Sequence, residues 1–303
     1  MRLAYLGTSE FAAAVLRRLA DSPHRPVLVV TPPDRPRGRG RRMGSPPAAE
    51  AALALGLELL QTESVNRPDA AAAIRAAKPE LGVVCAFGQL IKDPLLSELE
   101  LLNVHPSMLP RWRGAAPIER AIMAGDRETG VSIIEVTAGL DSGPMAIQEG
   151  LEIDDGDDYG SLSARLAELA GELVVRALDE CAAGSPALIE QDDSRATYAH
   201  KISPEERRLD PSKPARELEL TVRALNPHIG CYLELEGGGR LGVRSARADP
   251  GGGVEPGRLV GDGGLRLGCA EGALSLEVVQ PPGRRPMPAD AYLRGHSLPS
   301  LAG

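Results

Sequence analysis

The chain has 303 residues, 43% hydrophobic and only 3% aromatic, with a formal net charge of −8. This length accommodates two domains, or one large and one small, and the composition excludes a disordered polymer while requiring a core of small aliphatic side chains. The net charge argues against bulk nucleic-acid binding, but it is uneven: Glu149 to Asp193 carries 13 acidic residues against Arg165 and Arg176, while a dense basic patch sits near the start.

The N-terminal segment MRLAYLGTSE has a short apolar run that breaks at Gly7, which reads as a first strand rather than a signal peptide. Ser9 is placed to cap a helix with Phe11, Val15, Leu16 and Leu19 on one face. Val27 to Val30 is the next strand, followed by an Arg-, Pro- and Gly-rich loop running to Pro47. Helical patterns follow over Ala48 to Leu55 and Ala70 to Ala77, with a short strand at Leu57 to Leu60 between them. Leu81 to Ala86 is a continuous apolar strand, as expected of a central position covered on both faces. A strand ending at His105 and a helix from Ala116 to Ala124 come next. Val131 to Val136 and Met145 to Gln148 read as two further strands, antiparallel because their connection is short, and Tyr159 to Ala183 as a helix covering the sheet.

Alternating strands and helices predict an α/β fold with a doubly wound, mostly parallel Rossmann-like sheet over residues 1–184. Residues 185–205 are polar and without clear periodicity, as in a linker. From 206 to 303 one helical pattern, with Leu218, Val222 and Leu225, precedes short glycine-punctuated strands, which predict a small OB-like β-barrel domain. Cys85, Cys181, Cys231 and Cys269 are scattered without C-x-x-C or a histidine at ligand spacing, so they are expected to be reduced buried thiols with no metal site. No apolar run approaches the ~20 residues that span a bilayer, and a soluble cytoplasmic protein is expected.

The stretch NVHPSMLPRWRGAAP, Asn103 to Pro117, concentrates the chemistry. Asn103 and His105 lie two apart at a strand end, so an amide donor and an imidazole leave on one face, as an oxyanion-and-proton-transfer site requires. Asp141, in Gly139-Leu140-Asp141-Ser142-Gly143, joins them if its loop folds back over the end of the Asn103 strand, where such sheets hold ligands. A carboxylate there would orient the imidazole and favour its charged form. A second constellation is the basic loop at 33–44, in which Arg35, Arg37, Arg39, Arg41 and Arg42 are spaced by prolines and glycines. Guanidinium forks fit phosphates, so this loop is expected to order on nucleic acid. Gly7-Thr8-Ser9-Glu10 is not a dinucleotide fingerprint and no P-loop occurs, so neither NAD nor ATP is expected.

With these residues the chain resembles the methionyl-tRNA formyltransferases, within the folate-dependent formyltransferases. The matching segments are GTSEFA at 7–12, TPPDRPRGRGRRM at 31–43, NVHPSMLPRWRGAAPIERAI at 103–122, GDRETGVSIIEVTAGLDSGPM at 125–145, QDDSRATYAHKIS at 191–203 and LNPHIGCY at 225–232. The resemblance implies Asn103, His105 and Asp141 as the catalytic trio, Ser107, Met108, Leu109 and Pro110 as the stretch lining the folate site, and Arg39 with its neighbours as the loop entering the tRNA acceptor end. It implies 10-formyltetrahydrofolate as formyl donor and methionyl initiator tRNA as acceptor, giving formyl-methionyl-tRNA for translation initiation. The C-terminal barrel would add tRNA-binding surface, and a monomer with no obligate protein partner is expected. Three positions depart from the family's pattern: Pro106 follows the histidine, Met108 replaces a leucine, and Asp141-Ser142-Gly143-Pro144 lacks a second acid. A formyl-tetrahydrofolate hydrolase or a sugar-nucleotide formyltransferase could use the same trio, and a catalytically silent RNA-binding protein is a reading of another class. Neither enzyme alternative needs the arginine loop together with the barrel.

Overall fold

The computed structural model describes residues 1–37, 42–184 and 187–301. The chain divides into two compact units: Met1–Pro117, Glu128–Glu152 and Ser163–Ala199 form the first, and Ile118–Arg127, Ile153–Leu162 and His200–Gly303 the second.

In chain order, β1 (Leu3–Gly7), α1 (Glu10–Ala20) and β2 (Pro26–Thr31) open the first unit. The Ser9 side chain accepts from Ala12 N at 3.3 Å, the expected helix cap. Strands β3 (Arg35–Arg37) and β4 (Arg42–Gly44) follow, then α2 (Pro47–Ala54), β5 (Leu59–Gln61), α3 (Pro68–Ala76) and β6 (Leu81–Cys85). The short α4 (Leu95–Glu98) leads into β7 (Leu101–His105) and β8 (Arg113–Gly114). After α5 (Pro117–Met123) come β9 (Glu128–Glu135), β10 (Met145–Glu152), the long α6 (Tyr159–Ala183) and β11 (Tyr198–Ala199).

The seven-stranded sheet runs β10-β9-β7-β6-β1-β2-β5. The pairs from β7 to β5 are parallel, whereas β9 runs antiparallel to β7 and β10 to β9. The chain moves outward from β1 to β5, then returns to β6 on the other side, which puts a topological switch between β1 and β6. Helices cover both faces. Ala4, Leu6, Leu28 and Val30 pack on Ile74 of α3 and Leu95 of α4. On the opposite face the Tyr5 hydroxyl donates to the α1 carbonyl of Ala12 at 2.6 Å. Helix α6 meets α1 at Gly171, where a Cβ would come within 2.8 Å of the Arg18 side chain. Each fully buried Leu or Val contributes about 1.5–3 kcal/mol, which fixes the strand register because a one-residue slip would expose the whole set.

The second unit contains α7 (Ala215–Leu225), β12 (Cys231–Glu234), β13 (Arg240–Asp249), β14 (Leu259–Val260), β15 (Arg266–Gly268), β16 (Ala273–Gln280), β17 (Met287–Pro288) and α8 (Ala289–Gly295). Its antiparallel sheet runs β12-β13-β16-β15-β14, with β17 added to β16. Register shifts in β13 between Val243 and Ala246 bend the sheet, as bulges do. Glycines make the turns of two hairpins, with Gly237 and Gly238 at φ 80° and 82° between β12 and β13, and Gly263 and Gly264 at 71° and 116° between β14 and β15, conformations that a side chain would strain. Leu218, Val222 and Leu225 form the buried face of α7.

Two segments are more structured than their sequence pattern indicates. Within the arginine-rich stretch, β3 and β4 pair as an antiparallel ribbon with Arg37 opposite Arg42. The polar segment read as a linker bridges β10 at Ile189, turns at Asp193–Arg195, and pairs β11 with β8. Its polar side chains are used in specific hydrogen bonds, which leave no periodicity to read. The cysteines are free, with Cys85, Cys231 and Cys269 buried but Cys181 only half-buried at the end of α6. Burial pushes the Cys85 and Cys231 thiols up to about 12 and that of Cys269 to about 11, which keeps them from acting as thiolates. Among the described residues no helix is long and apolar enough to cross a membrane.

Candidate active site at the end of β7

Strand β7 is apolar at Leu101, Leu102 and Val104, all buried, and polar at Asn103 and His105. It lies between β6 and β9, with His105 opposite Ser132 and Asn103 between Val84 and Ile134. Alternation points Asn103 and His105 to the same side.

The connection from β9 to β10 starts near the beginning of β7, where Glu135 is opposite Leu102. It then folds back along β7, as the sequence reading required, and brings Asp141 to both polar residues. Asp141 Oδ1 accepts from Asn103 Nδ2 at 3.1 Å, and Oδ2 accepts from the Gly114 backbone N–H at 2.8 Å. His105 Nδ1 stands 3.6 Å from Asp141 Oδ2, with side-chain exposures of 5% and 15%, so the pair is shielded but not sealed. The other ring nitrogen, Nε2, is 2.9 Å from the Trp112 carbonyl oxygen. A carbonyl only accepts, so Nε2 carries a hydrogen, and Nδ1 is left as the nitrogen that exchanges its proton.

Both loops hold residues in the left-handed region. Asp141 has φ 45° and Trp112 φ 65°, each costing of order 1–3 kcal/mol that surrounding contacts must offset. Those contacts come from residues 191–199. Trp112 N–H donates to Thr197 Oγ1 at 2.9 Å and Arg113 N–H to the Thr197 carbonyl at 2.9 Å. Gly114, at φ 122°, lies so close to the next strand that a Cβ would meet the Ala199 carbonyl oxygen at 2.8 Å. Gln191 donates from Nε2 to the carbonyls of Asp141 and Gly143, and accepts at Oε1 from Arg113. Such strain, held by its surroundings, belongs to sites that need a fixed geometry.

The four residues after Pro106 divide by exposure. Ser107 and Leu109 are buried; the Ser107 hydroxyl donates to the Arg111 carbonyl at 2.7 Å and Leu109 N–H to Ser132 Oγ at 3.2 Å. Ser132 Oγ also donates to the Ser107 carbonyl at 2.7 Å and accepts from Gln148 Nε2 at 2.8 Å. Met108 and Pro110 are half-buried, with the Met108 sulfur lying against Gly130 of β9. Of the basic residues, Arg35 is exposed and pairs with Glu63 at 3.2 Å. Arg37 and Arg42 lie on the paired strands, and Arg39 and Arg41 fall outside the described residues.

The structure thus brings Asn103, His105 and Asp141 together, with Ser107 to Pro110 on the adjoining turn. The Trp112 carbonyl and the Gly114 N–H carry no residue-type signal in the sequence. Gln191, Thr197 and Ser132 were also missed, although QDDSRATYA is among the segments that carry the resemblance.

Residues 1–178 match the Formyl transferase family model and residues 201–297 the Formyl transferase, C-terminal domain model. The chain is 44% identical over 291 residues to a methionyl-tRNA formyltransferase of Stutzerimonas stutzeri, covering 95% of this chain and 92% of that one. It is 42% identical over 302 residues to a methionyl-tRNA formyltransferase of Methylococcus capsulatus, covering 98% of each. Among solved structures, HypX from Aquifex aeolicus in complex with tetrahydrofolic acid superposes with a TM-score of 0.69 at 18% identity, over 97% of this chain and 47% of that one. This chain spans about half the length of HypX. Glycinamide ribonucleotide transformylase 1 from Symbiobacterium toebii gives a TM-score of 0.51 at 24% identity over 63% of this chain and 94% of that one. These last two likenesses concern the fold alone.

Proposed function

The chain belongs to the formyl transferase family and within it to the methionyl-tRNA formyltransferases, and from that premise we propose that Asn103, His105 and Asp141 carry formyl transfer from 10-formyltetrahydrofolate to the α-amine of methionyl initiator tRNA. The observation supporting these residues most directly is their assembly through one carboxylate, Asp141, hydrogen-bonded to Asn103 and facing His105 Nδ1.

The α-amine of an aminoacyl ester is partly neutral at physiological pH, since α-amines titrate near ~8. Attack on the formyl carbon therefore needs little base strength. The harder demands are the tetrahedral oxyanion and the N10 leaving group. An Asn amide nitrogen has two hydrogens, and Asp141 takes one, so the second serves the oxyanion. Donation from the imidazole comes from Nδ1, because Nε2 is held by the Trp112 carbonyl. As the C–N10 bond breaks, the proton lost by the amine reaches N10 through the His105–Asp141 pair. Met108 and Pro110, the half-exposed members of their turn, contact the folate, while Ser107 and Leu109 hold the turn from beneath.

Arg35, Arg37, Arg39, Arg41 and Arg42 bind the acceptor end of the tRNA through its phosphates. All members of the trio come from one chain, so a monomer suffices, and with charged tRNA as substrate the working compartment is the cytoplasm. The test is formyl transfer to methionyl initiator tRNA, with uncharged tRNA and water as controls. Formyl-methionyl-tRNA formed only with charged tRNA is the expected result. Release of formate without labelled tRNA would instead make the protein a hydrolase.

A further inference from the structure

Gln191 lies fifty positions from Asp141 in a segment without regular periodicity, yet its amide is fully committed at the site. Nε2 donates to the Asp141 carbonyl at 2.9 Å and to the Gly143 carbonyl at 2.8 Å. Oε1 accepts from Arg113 Nε at 3.0 Å and from its Nη2 at 2.8 Å. The amide orientation follows from its partners, because a flip would set NH2 against a guanidinium and oxygen against two carbonyls. Arg113 is itself buried, at 5% side-chain exposure, and its Nη2 also donates to Asp193 at 2.7 Å.

We propose that Gln191 is the positioning residue for Asp141, clamping the two loops that hold the carboxylate at both ends. At the backbone end, Asp141 sits at φ 45° in a turn that runs close against β9, where a Cβ on Gly143 would collide with the Glu135 carbonyl oxygen. Gln191 grips that turn on two carbonyls. At the carboxylate end, Oδ2 is held by the N–H of Gly114, the neighbour of Arg113, which Gln191 grips through Oε1. One side chain therefore sets the spacing between the Asp141 backbone and the group its carboxylate accepts from. Gln191 bonds to neither Asn103 nor His105 in the structure, and Asp141 is the member of the trio whose own backbone it holds.

This inference rests on Asp141 acting in the reaction, and the experiment separates the two. Steady-state formyl transfer is measured for Gln191→Ala, Gln191→Glu, Asp141→Ala and the Gln191→Ala/Asp141→Ala double variant, with KM for both substrates and Tm for each. A positioning loss near 1 Å costs up to ~100-fold, so kcat is expected to fall about 10- to 100-fold in both Gln191 variants, with both KM values near wild type. The Glu variant is isosteric and keeps the Arg113 contact, but it turns an oxygen toward two carbonyls. It would restore activity if Gln191 served only packing or Arg113 pairing, and that result overturns the proposal. The double variant is expected to be no slower than Asp141→Ala alone. Full multiplication of the two losses would show that Gln191 acts independently of Asp141 and would also overturn it. Wild-type turnover by Asp141→Ala would sink the catalytic trio itself.

Discussion

His105 and Asp141 face each other through Nδ1 and Oδ2 at 3.6 Å, just beyond hydrogen-bond length, while the far ring nitrogen is anchored on the Trp112 carbonyl at 2.9 Å. The imidazole is thus fixed at one nitrogen and poised at the other, and catalytic contacts of this kind often tighten only when substrate arrives. His105→Ala should lower kcat about 100-fold or more, equivalent to ~3 kcal/mol, with the Tm little changed. Near-normal turnover in a single-turnover assay would remove His105 from the mechanism.

Ser132 is completely buried and joins three groups beneath the turn at 107–110. Ser132→Ala leaves the Leu109 N–H without its acceptor, a loss of about 1–3 kcal/mol. Chemical denaturation should register that loss. The KM for 10-formyltetrahydrofolate should rise by up to about tenfold, the equivalent of ~1.4 kcal/mol. A stable variant with unchanged folate KM would separate this scaffold from the folate site.

Arg39→Ala should raise the KM for tRNA and leave the folate KM alone. Removing one phosphate contact should also flatten the dependence of log affinity on log salt by about 0.7–0.9. An equal loss for both substrates would point to misfolding and count against a tRNA role for this loop.

In the second unit, the Arg120 guanidinium donates to both oxygens of Glu206 and holds that carboxyl below the usual carboxylate range. The unfolded chain takes up this proton first, near ~4.3, so the pair's stabilisation is complete above that pH and is lost as pH falls through the lower folded value. Glu206 is about one-third exposed, so the contribution is about 1 kcal/mol at most. Denaturation of wild type and Glu206→Gln should differ by this amount near neutral pH and converge in acid. A difference that stays constant with pH would show that the pair does not titrate as described.

The catalytic candidates were legible in the sequence because their chemistry is written in residue type. Asn103 and His105 end an apolar strand two positions apart, and Asp141 sits among glycines in a connection too short to lie far away. The strands of the sheet were legible for a similar reason: buried runs such as Leu81–Cys85 admit few alternatives. What holds the site was not legible. The Trp112 carbonyl and Gly114 N–H are backbone groups that any residue supplies, and their usefulness comes from φ angles no composition encodes. Gln191 and Thr197 lie in a polar stretch and find their partners 48 or more positions away, so its pattern looked like a connection. Contacts also group Ile118–Arg127 and Ile153–Leu162 with the C-terminal unit, an interleaving that a change in composition along the chain cannot reveal.

Trp112 is the single tryptophan of the chain. Its carbonyl receives the His105 hydrogen, and the Arg111 guanidinium lies 4.4 Å from its ring centroid. Fluorescence excited at the red edge of the near-ultraviolet band, where the five tyrosines do not absorb, therefore originates from one indole on the loop that carries the imidazole's anchor. Ligand occupancy next to His105 can be followed as a change in intrinsic fluorescence, with no label and no engineered reporter, in the native enzyme during turnover.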